Sequence, residues 1–289
     1  MKKLAFIGGG NMAEALARGL IAGKVFRLAD LIVADVDPAR RRKLGRALKI
    51  ETTADNLQAV RAARAILFAV KPQNIDDVLG EIRAAIALGG KPPARARPAG
   101  APVPIAPQAR LFISIAAGVT IARFSAALGA DARVIRVMPN APAMVGQGMA
   151  ALTRSPGASR ADLSFALRIF RAVGDAIALD DEALLDAVTA LSGSGPAYVY
   201  LFVKALADGG VAEGLEPALA TRMALQTLRG AVETMSKSKL DAAELIRIVA
   251  SPGGTTEAAL RKFDERGFSA IVGDALHAAA QRSRELGRG

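Results

Sequence analysis

A chain of 289 residues exceeds the usual size of one domain and points to two, and its 52% hydrophobic and 4% aromatic content describes an aliphatic interior suited to packed helices and parallel strands. No cysteine and a single histidine, His277, leave no disulfide framework, no thiolate zinc site, no Cys nucleophile, and no metal or Ser-His chemistry to expect. The net charge of +11 is scattered over helical surfaces without aromatics to stack bases, so the expected partners are an anionic cofactor and a small carboxylate substrate rather than nucleic acid.

The chain opens on Met1-Lys2-Lys3 and an apolar run, Leu4 to Gly8, which the triplet Gly8-Gly9-Gly10 interrupts too early for a signal peptide. That run reads as a first strand. Gly8-Gly9-Gly10-Asn11-Met12-Ala13 then fits G-x-G-x-x-A at a strand-to-helix turn. Glycines there allow backbone to approach a pyrophosphate, and the helix start faces it with free N–H groups. The next apolar run, Leu31 to Asp35, ends on a carboxylate suited to the adenosine ribose hydroxyls, which leans toward NAD. Arg40 and Arg41 lean toward NADP, so the cofactor is NADPH or NADH. Asp37 before Pro38 reads as a helix cap.

Ala65 to Val70 is a further strand. Its exit, Ala69-Val70-Lys71-Pro72, lies at the carboxyl edge where open parallel sheets bind ligands, with Lys71 a cofactor contact or a solvated charge and Pro72 stopping the strand. Gly89 to Gln108 holds six prolines by composition of its sequence, too many for a helix or central strand, and is expected to be a surface loop. Leu111 to Ala116 and Arg133 to Met138 complete the strands. Strands alternating with helices imply a parallel sheet covered on both faces, in a domain spanning residues 1–158.

From 159 to 289 the periodicity becomes helical. Asp181 is placed to cap a helix through Leu191, Pro217 suits a first turn, and Asp241 with Glu244 has capping-box spacing. Ser192 to Tyr198 is a small-residue break that favours close packing. Ser251-Pro252-Gly253-Gly254-Thr255-Thr256 breaks two helices, and the amides of Thr255 and Thr256 would suit a carboxylate, although an ordinary helix–helix turn fits the same residues. His277 reads as structural, within the last amphipathic helix. No stretch offers ~20 apolar residues free of Gly, Pro and charge, so no membrane span is expected and a cytoplasmic protein is.

These runs together resemble pyrroline-5-carboxylate reductases. The matching stretches are Ile7 to Met12, Ala69 to Pro72, Ser114 to Thr120, Val134 to Asn140, Ala190 to Tyr198, Ala205 to Gly210 and Ser251 to Thr256, in order along nearly the whole chain. The resemblance implies a Rossmann-type N-terminal domain with a parallel-rich sheet, then an all-α dimerisation domain that interlocks two subunits, with sites shared between them and rings of dimers in many members. It implies reduction of 1-pyrroline-5-carboxylate to L-proline. With the resemblance, Gly8, Gly10, Asn11, Met12, Asn56, Ala69, Val70, Lys71 and Ala117 would line the cofactor and Glu182, Thr255 and Thr256 would meet the substrate; the residues read by themselves add Ile7, Asp35 and Pro72 to the cofactor side and Gly254 to the substrate side, with Thr256 the catalytic residue. Three departures stand out: the length of the Pro-rich segment, Arg247-Ile248 before the substrate loop, and Asp35-Val36-Asp37 without the basic or hydroxyl pattern of NADP users. A β-hydroxyacid or phosphogluconate-type dehydrogenase is the rival enzyme, but Lys204 lies well beyond the Ser-Gly-Ser-Gly break where such a catalytic lysine would sit. A cofactor-binding regulatory protein without turnover is the rival outside enzymes.

Overall fold

A computed structural model describes residues 1–87 and 110–288. The Pro-rich segment Gly89 to Gln108 lies outside the described residues. Two compact units emerge, Met1–Gly193 with Ala280–Gly289, and Ser194–Ala279.

The first unit is built on an eight-stranded sheet in the order β3-β2-β1-β4-β5-β6-β7-β8. Its strands are β1 (Lys2–Ile7), β2 (Leu31–Ala34), β3 (Glu51–Thr53), β4 (Ala63–Phe68), β5 (Leu111–Ser114), β6 (Arg133–Pro139), β7 (Gly148–Arg154) and β8 (Gly174–Ala178). Every neighbouring pair is parallel except β6 and β7. The central strands are apolar at successive positions because both faces are covered. Phe6, Leu67 and Ile113 enter one core with Leu16, Leu20 and Phe170, whereas Ile7, Phe68 and Phe112 enter the other with Ile82 and Phe124. Full burial of each such side chain contributes roughly 1.5–3 kcal/mol.

Helices α1 (Asn11–Ala22), α2 (Pro38–Leu48), α3 (Asn56–Ala62), α4 (Ile75–Ala87), α5 (Ile121–Leu128) and α6 (Arg160–Arg171) connect the strands. In α1, Ala13, Leu16, Ala17 and Leu20 recur at helical spacing and are all buried. Asp37 caps α2 as expected, accepting from Ala39 N at 2.8 Å, with Pro38 in the first turn. The chain reverses between β6 and β7 through a short 3₁₀ turn, Ala141–Val145, and an antiparallel neighbour needs no long crossover. Helix α6 then supplies the crossover that makes β8 parallel to β7.

This continuation moves the expected domain boundary. The sheet runs past residue 158, and the first compact unit extends to Gly193, because α6 and β8 bury their apolar residues, Phe170 and Ala176 among them, in the sheet's core. The helix expected from Asp181 through Leu191 also differs. Asp181 accepts from Ala183 N at 2.9 Å, but α7 (Leu184–Val188) gives way to a π-helical turn, Thr189–Gly193. The wide turn lets Asn140 Nδ2 donate to the carbonyl and hydroxyl of Ser192 at 3.2 Å each and sets Gly193 against Met138, the packing expected of the small residues.

The second unit contains α8 (Gly195–Ala212), α9 (Pro217–Lys237), α10 (Ala242–Val249), α11 (Thr255–Glu265) and the larger part of α12 (Phe268–Arg288). Pro217 opens α9, and Asp241 and Glu244 form both halves of a capping box on α10. Helices α8 and α9 meet at Ala207, Ala220 and Ala224, with Val203 against them. Phe263 and Phe202 pack on Phe268 with ring centroids at 5.2 and 6.2 Å. His277 is exposed on α12 rather than set in its packed side. Among the described residues no helix is long and apolar enough to cross a membrane.

Candidate active site

Strands β1 to β5 all end on one edge of the sheet, and the strand order changes direction there, with β2 on one side of β1 and β4 on the other. Such a switch point opens a crevice at the carboxyl ends. Ile7 ends β1 with its side chain in the core and its carbonyl accepting Ala69 N at 2.8 Å, so it places the turn rather than offering a side chain to a ligand. Gly8 has φ +96°, and a Cβ on it would lie 2.8 Å from the backbone carbon and oxygen of Ala69. Only glycine fits between the two strand ends. Gly10 differs: a Cβ there would meet nothing nearer than Ala69 O at 3.8 Å, so its backbone is open to close approach. No side chain caps the start of α1, and its first N–H groups, at Asn11 and Met12, remain for an anion.

The other expected cofactor residues follow the same edge. Asn56 begins α3 beyond β3 and its Nδ2 donates to Glu81 at 3.0 Å, leaving its amide oxygen. Ala69 and Val70 are half-buried beyond β4, and Lys71 is exposed at a 3₁₀ turn opened by Pro72. Ala117 is exposed beyond β5. An uncapped helix start, a glycine turn tight against the neighbouring strand and a carboxylate ending β2 fit the pyrophosphate and ribose of a dinucleotide.

That carboxylate, Asp35, is the hub of contacts the sequence did not reveal. Its Oδ2 accepts Gly9 N at 2.7 Å and its Oδ1 accepts Asp37 N at 2.8 Å. Arg40 donates through Nε to the Gly9 carbonyl and through Nη2 to Asn11 Oδ1 at 3.0 Å. Glu14 lies 3.4 Å from Arg40; the Arg18 hydrogen bond, aided by Lys43, holds the Glu14 carboxyl below its ordinary range against partial burial. Arg41 Nη1 donates to the carbonyls of Asp35 at 2.7 Å and Val36 at 3.0 Å.

Comparison with known proteins decides the family. A family model described as "Pyrroline-5-carboxylate reductase dimerisation" matches residues 182–286, and one described as "NADP oxidoreductase coenzyme F420-dependent" matches residues 3–90. The pyrroline-5-carboxylate reductase of Pseudomonas aeruginosa is 40% identical over 284 residues, covering 98% of this chain and 96% of that one. The chain belongs to the pyrroline-5-carboxylate reductase family. Solved structures agree: the pyrroline-5-carboxylate reductase of Coxiella burnetii superposes with a TM-score of 0.86 at 31% identity, covering 99% of this chain and 98% of that one. The pyrroline carboxylate reductase of Plasmodium falciparum, with NADP bound, gives 0.82 at 29% identity over the same shares.

The expected substrate residues of this chain fall in both units. Glu182 belongs to the first, where its Oε1 accepts Ile121 N at 2.9 Å, at the start of α5, and Arg136 Nη1 at 2.8 Å. Arg136 is buried on β6, a partner that its place in the Val134 to Asn140 run did not disclose. In the second unit Gly254 precedes α11 without a side-chain cap, and a Cβ on it would lie 2.9 Å from Ser251 O. Thr255 and Thr256 form the first turn of α11, Thr255 exposed and Thr256 half-buried. Glu257 Oε2 accepts Gly253 N at 2.7 Å, so part of the loop's donor capacity serves the chain itself. Lys204, the residue on which the rival dehydrogenase reading turns, lies on the exposed side of α8 and pairs with Asp208 at 2.5 Å.

Proposed function

We propose that this chain reduces 1-pyrroline-5-carboxylate to L-proline with NADPH or NADH, the last step of proline biosynthesis. The observation that carries the reading is an uncapped glycine-rich turn at the switch point in a chain matching a pyrroline-5-carboxylate reductase over 98% of its length. When bound, the reduced nicotinamide supplies the hydride that the imine carbon accepts. The amides of Gly10, Asn11 and Met12 hold the pyrophosphate. Asp35 meets the ribose, and Asn56, Ala69 to Pro72 and Ala117 line the remaining length.

For the substrate, the N–H groups of Thr255 and Thr256 beside Gly254 donate to the carboxylate. The Thr256 hydroxyl bonds the ring nitrogen and orients the imine, whose proton comes from solvent. Glu182 meets the substrate with its position set by Arg136 and the amide of Ile121. The chain assembles through its helical unit into dimers and rings of dimers, and it works in the cytoplasm.

Mixing the protein with the cyclic imine and each reduced nicotinamide in turn, while following nicotinamide absorbance, tests the reaction. Oxidation that depends on the imine is expected, with proline as product. Binding of the cofactor without imine-dependent oxidation of either form would refute the reading and leave a cofactor-binding regulatory protein.

A further inference from the structure

The last residues of α12, from Ala280, belong to the first unit, where they meet the loop that leads from β5 to α5, residues 115–120. That loop carries Ala117, exposed at the carboxyl edge of the sheet. The bonds that close it from within are long: Ala116 N to Ser114 Oγ and Val119 N to Ala116 O, each 3.3 Å. Between them Gly118 takes φ +74°, and a glycine there keeps wide backbone freedom unless a neighbour restricts it.

The neighbour is the end of α12. Gly118 is buried, and a Cβ on it would lie 3.1 Å from Leu286 Cβ and 3.3 Å from the Leu286 carbonyl carbon and oxygen. A Cβ on Gly287 would lie 3.4 Å from Gly118 O and 4.0 Å from Thr120 Cγ2. The helix is pinned about one turn before Leu286, where Ser283, 5% exposed, donates through Oγ to Asp186 Oδ1 at 2.6 Å. Asp186 lies about one turn beyond Glu182, and Glu182 accepts Ile121 N at 2.9 Å where the loop enters α5. The same short stretch of chain therefore fixes the exit of the loop directly and its middle through α12.

The place of the loop along the edge says which half of a dinucleotide it serves. The glycine turn after β1 faces the pyrophosphate and β2 lies toward the adenosine ribose, so β4 and β5, on the other side of β1, face the nicotinamide half. We propose that Ser283 and Leu286 are positioning residues that hold the β5–α5 loop, and Ala117 with it, in place for the nicotinamide half of the cofactor. The inference rests on the dinucleotide reading of the glycine-rich edge proposed above. A loop ordered in advance adds no ordering cost on binding, whereas a released loop must be ordered by the cofactor itself. The adenosine half, bound on the far side of β1, does not feel the difference.

Calorimetric titration of the wild type, Ser283→Ala and Leu286→Gly tests this without the imine. The ligands are each reduced nicotinamide dinucleotide and its counterpart lacking nicotinamide, ADP-ribose for NADH and 2′-phospho-ADP-ribose for NADPH. Each variant should bind the reduced dinucleotide about fivefold or more weakly, the scale of ordering a short stretch of chain, and bind the nicotinamide-free compound as the wild type does. Equal weakening of both compounds would show a general structural role for the end of α12 and overturn the proposal. Unchanged affinity for both in folded variants overturns it too, and Leu286→Gly, at an exposed position, carries the test if Ser283→Ala does not fold. A wild type that binds neither class of compound would refute the dinucleotide reading and this inference with it. Binding by the wild type without a selective loss in the variants would refute the role of Ser283 and Leu286 alone.

Discussion

Gly8 and Thr256 show two ways in which one residue matters. Gly8 has φ +96° and sits where a Cβ would lie 2.8 Å from the Ala69 backbone, so Gly8→Ala both strains the turn and pushes β1 from β4. A strained backbone position costs about 1–3 kcal/mol; the expected outcome is a lower unfolding midpoint in thermal denaturation together with loss of NADH binding. A variant with wild-type stability and binding would show that the turn relaxes freely. Thr256 stands half-buried in the first turn of α11, and among the described residues its hydroxyl has no hydrogen-bond partner. Thr256→Ala should leave the melting curve in place and lower kcat about tenfold, the effect of roughly 1.4 kcal/mol of transition-state stabilisation. Steady-state kinetics on a folded variant with unchanged kcat would remove its hydroxyl from the mechanism.

At the scale of elements, the box at the start of α6 ties a helix to the sheet. Ser159 Oγ accepts Asp162 N at 3.1 Å, Ser159 N donates to Asp162 Oδ2 at 2.9 Å, and Arg133 Nε on β6 donates to the same carboxylate at 3.0 Å. Burial acts to raise the Asp162 carboxyl, but Arg133 and Ser159 outweigh it and hold it below its ordinary value. A carboxyl depressed on folding contributes stability that is complete above its unfolded value, about 3.9, and is lost as pH falls through the folded one. Urea denaturation at successive pH values should show a smaller acid loss in Asp162→Asn than in the wild type. Equal slopes would place the acid sensitivity elsewhere.

Elements of this kind were unevenly legible in the sequence. The runs at Leu4, Leu31, Ala65 and Leu111 declared strands because burial on both faces leaves them largely apolar, and the run at Arg133 did so through Val134, Ile135, Val137 and Met138. Glu51–Thr53 is too short and polar to do so, and β7 and β8, rich in alanine and glycine, carry no β-branched signal strong enough to separate them from helix. The glycine turn and the α2 cap were legible because their chemistry is local. Asp35 with Gly9, 26 residues apart, and Arg136 with Glu182, 46 apart, were not, since a tertiary hydrogen bond leaves no spacing in the chain.

At the scale of the whole molecule, the second unit poses a burial problem whose solution lies outside a single chain. Its buried apolar side chains among the described residues are Ala207, Ala220 and Ala224, too little area to offset the ordering of several long helices. Meanwhile Tyr200, Leu201, Val232 and Ile248 are 64%, 68%, 63% and 66% exposed. Apolar exposure on this scale marks an association surface, and the dimerisation family model spans residues 182–286. The chain self-associates through this unit. Placing a charge in the contact, as in Leu201→Glu or Val232→Glu, should therefore weaken association by about 2 kcal/mol or more, roughly thirtyfold in the dissociation constant. Sedimentation velocity over a dilution series reads this as a shift toward monomer, and the unfolding midpoint at a given protein concentration should fall. Because Ile7 to Met12, Asp35, Asn56, Ala69 to Pro72 and Ala117 all belong to the first unit, NADH binding per chain should survive the loss of association. Unchanged sedimentation in both variants would place the contact elsewhere on the helical unit, and loss of NADH binding in a dissociated, folded variant would show that the glycine-rich edge depends on the assembled state.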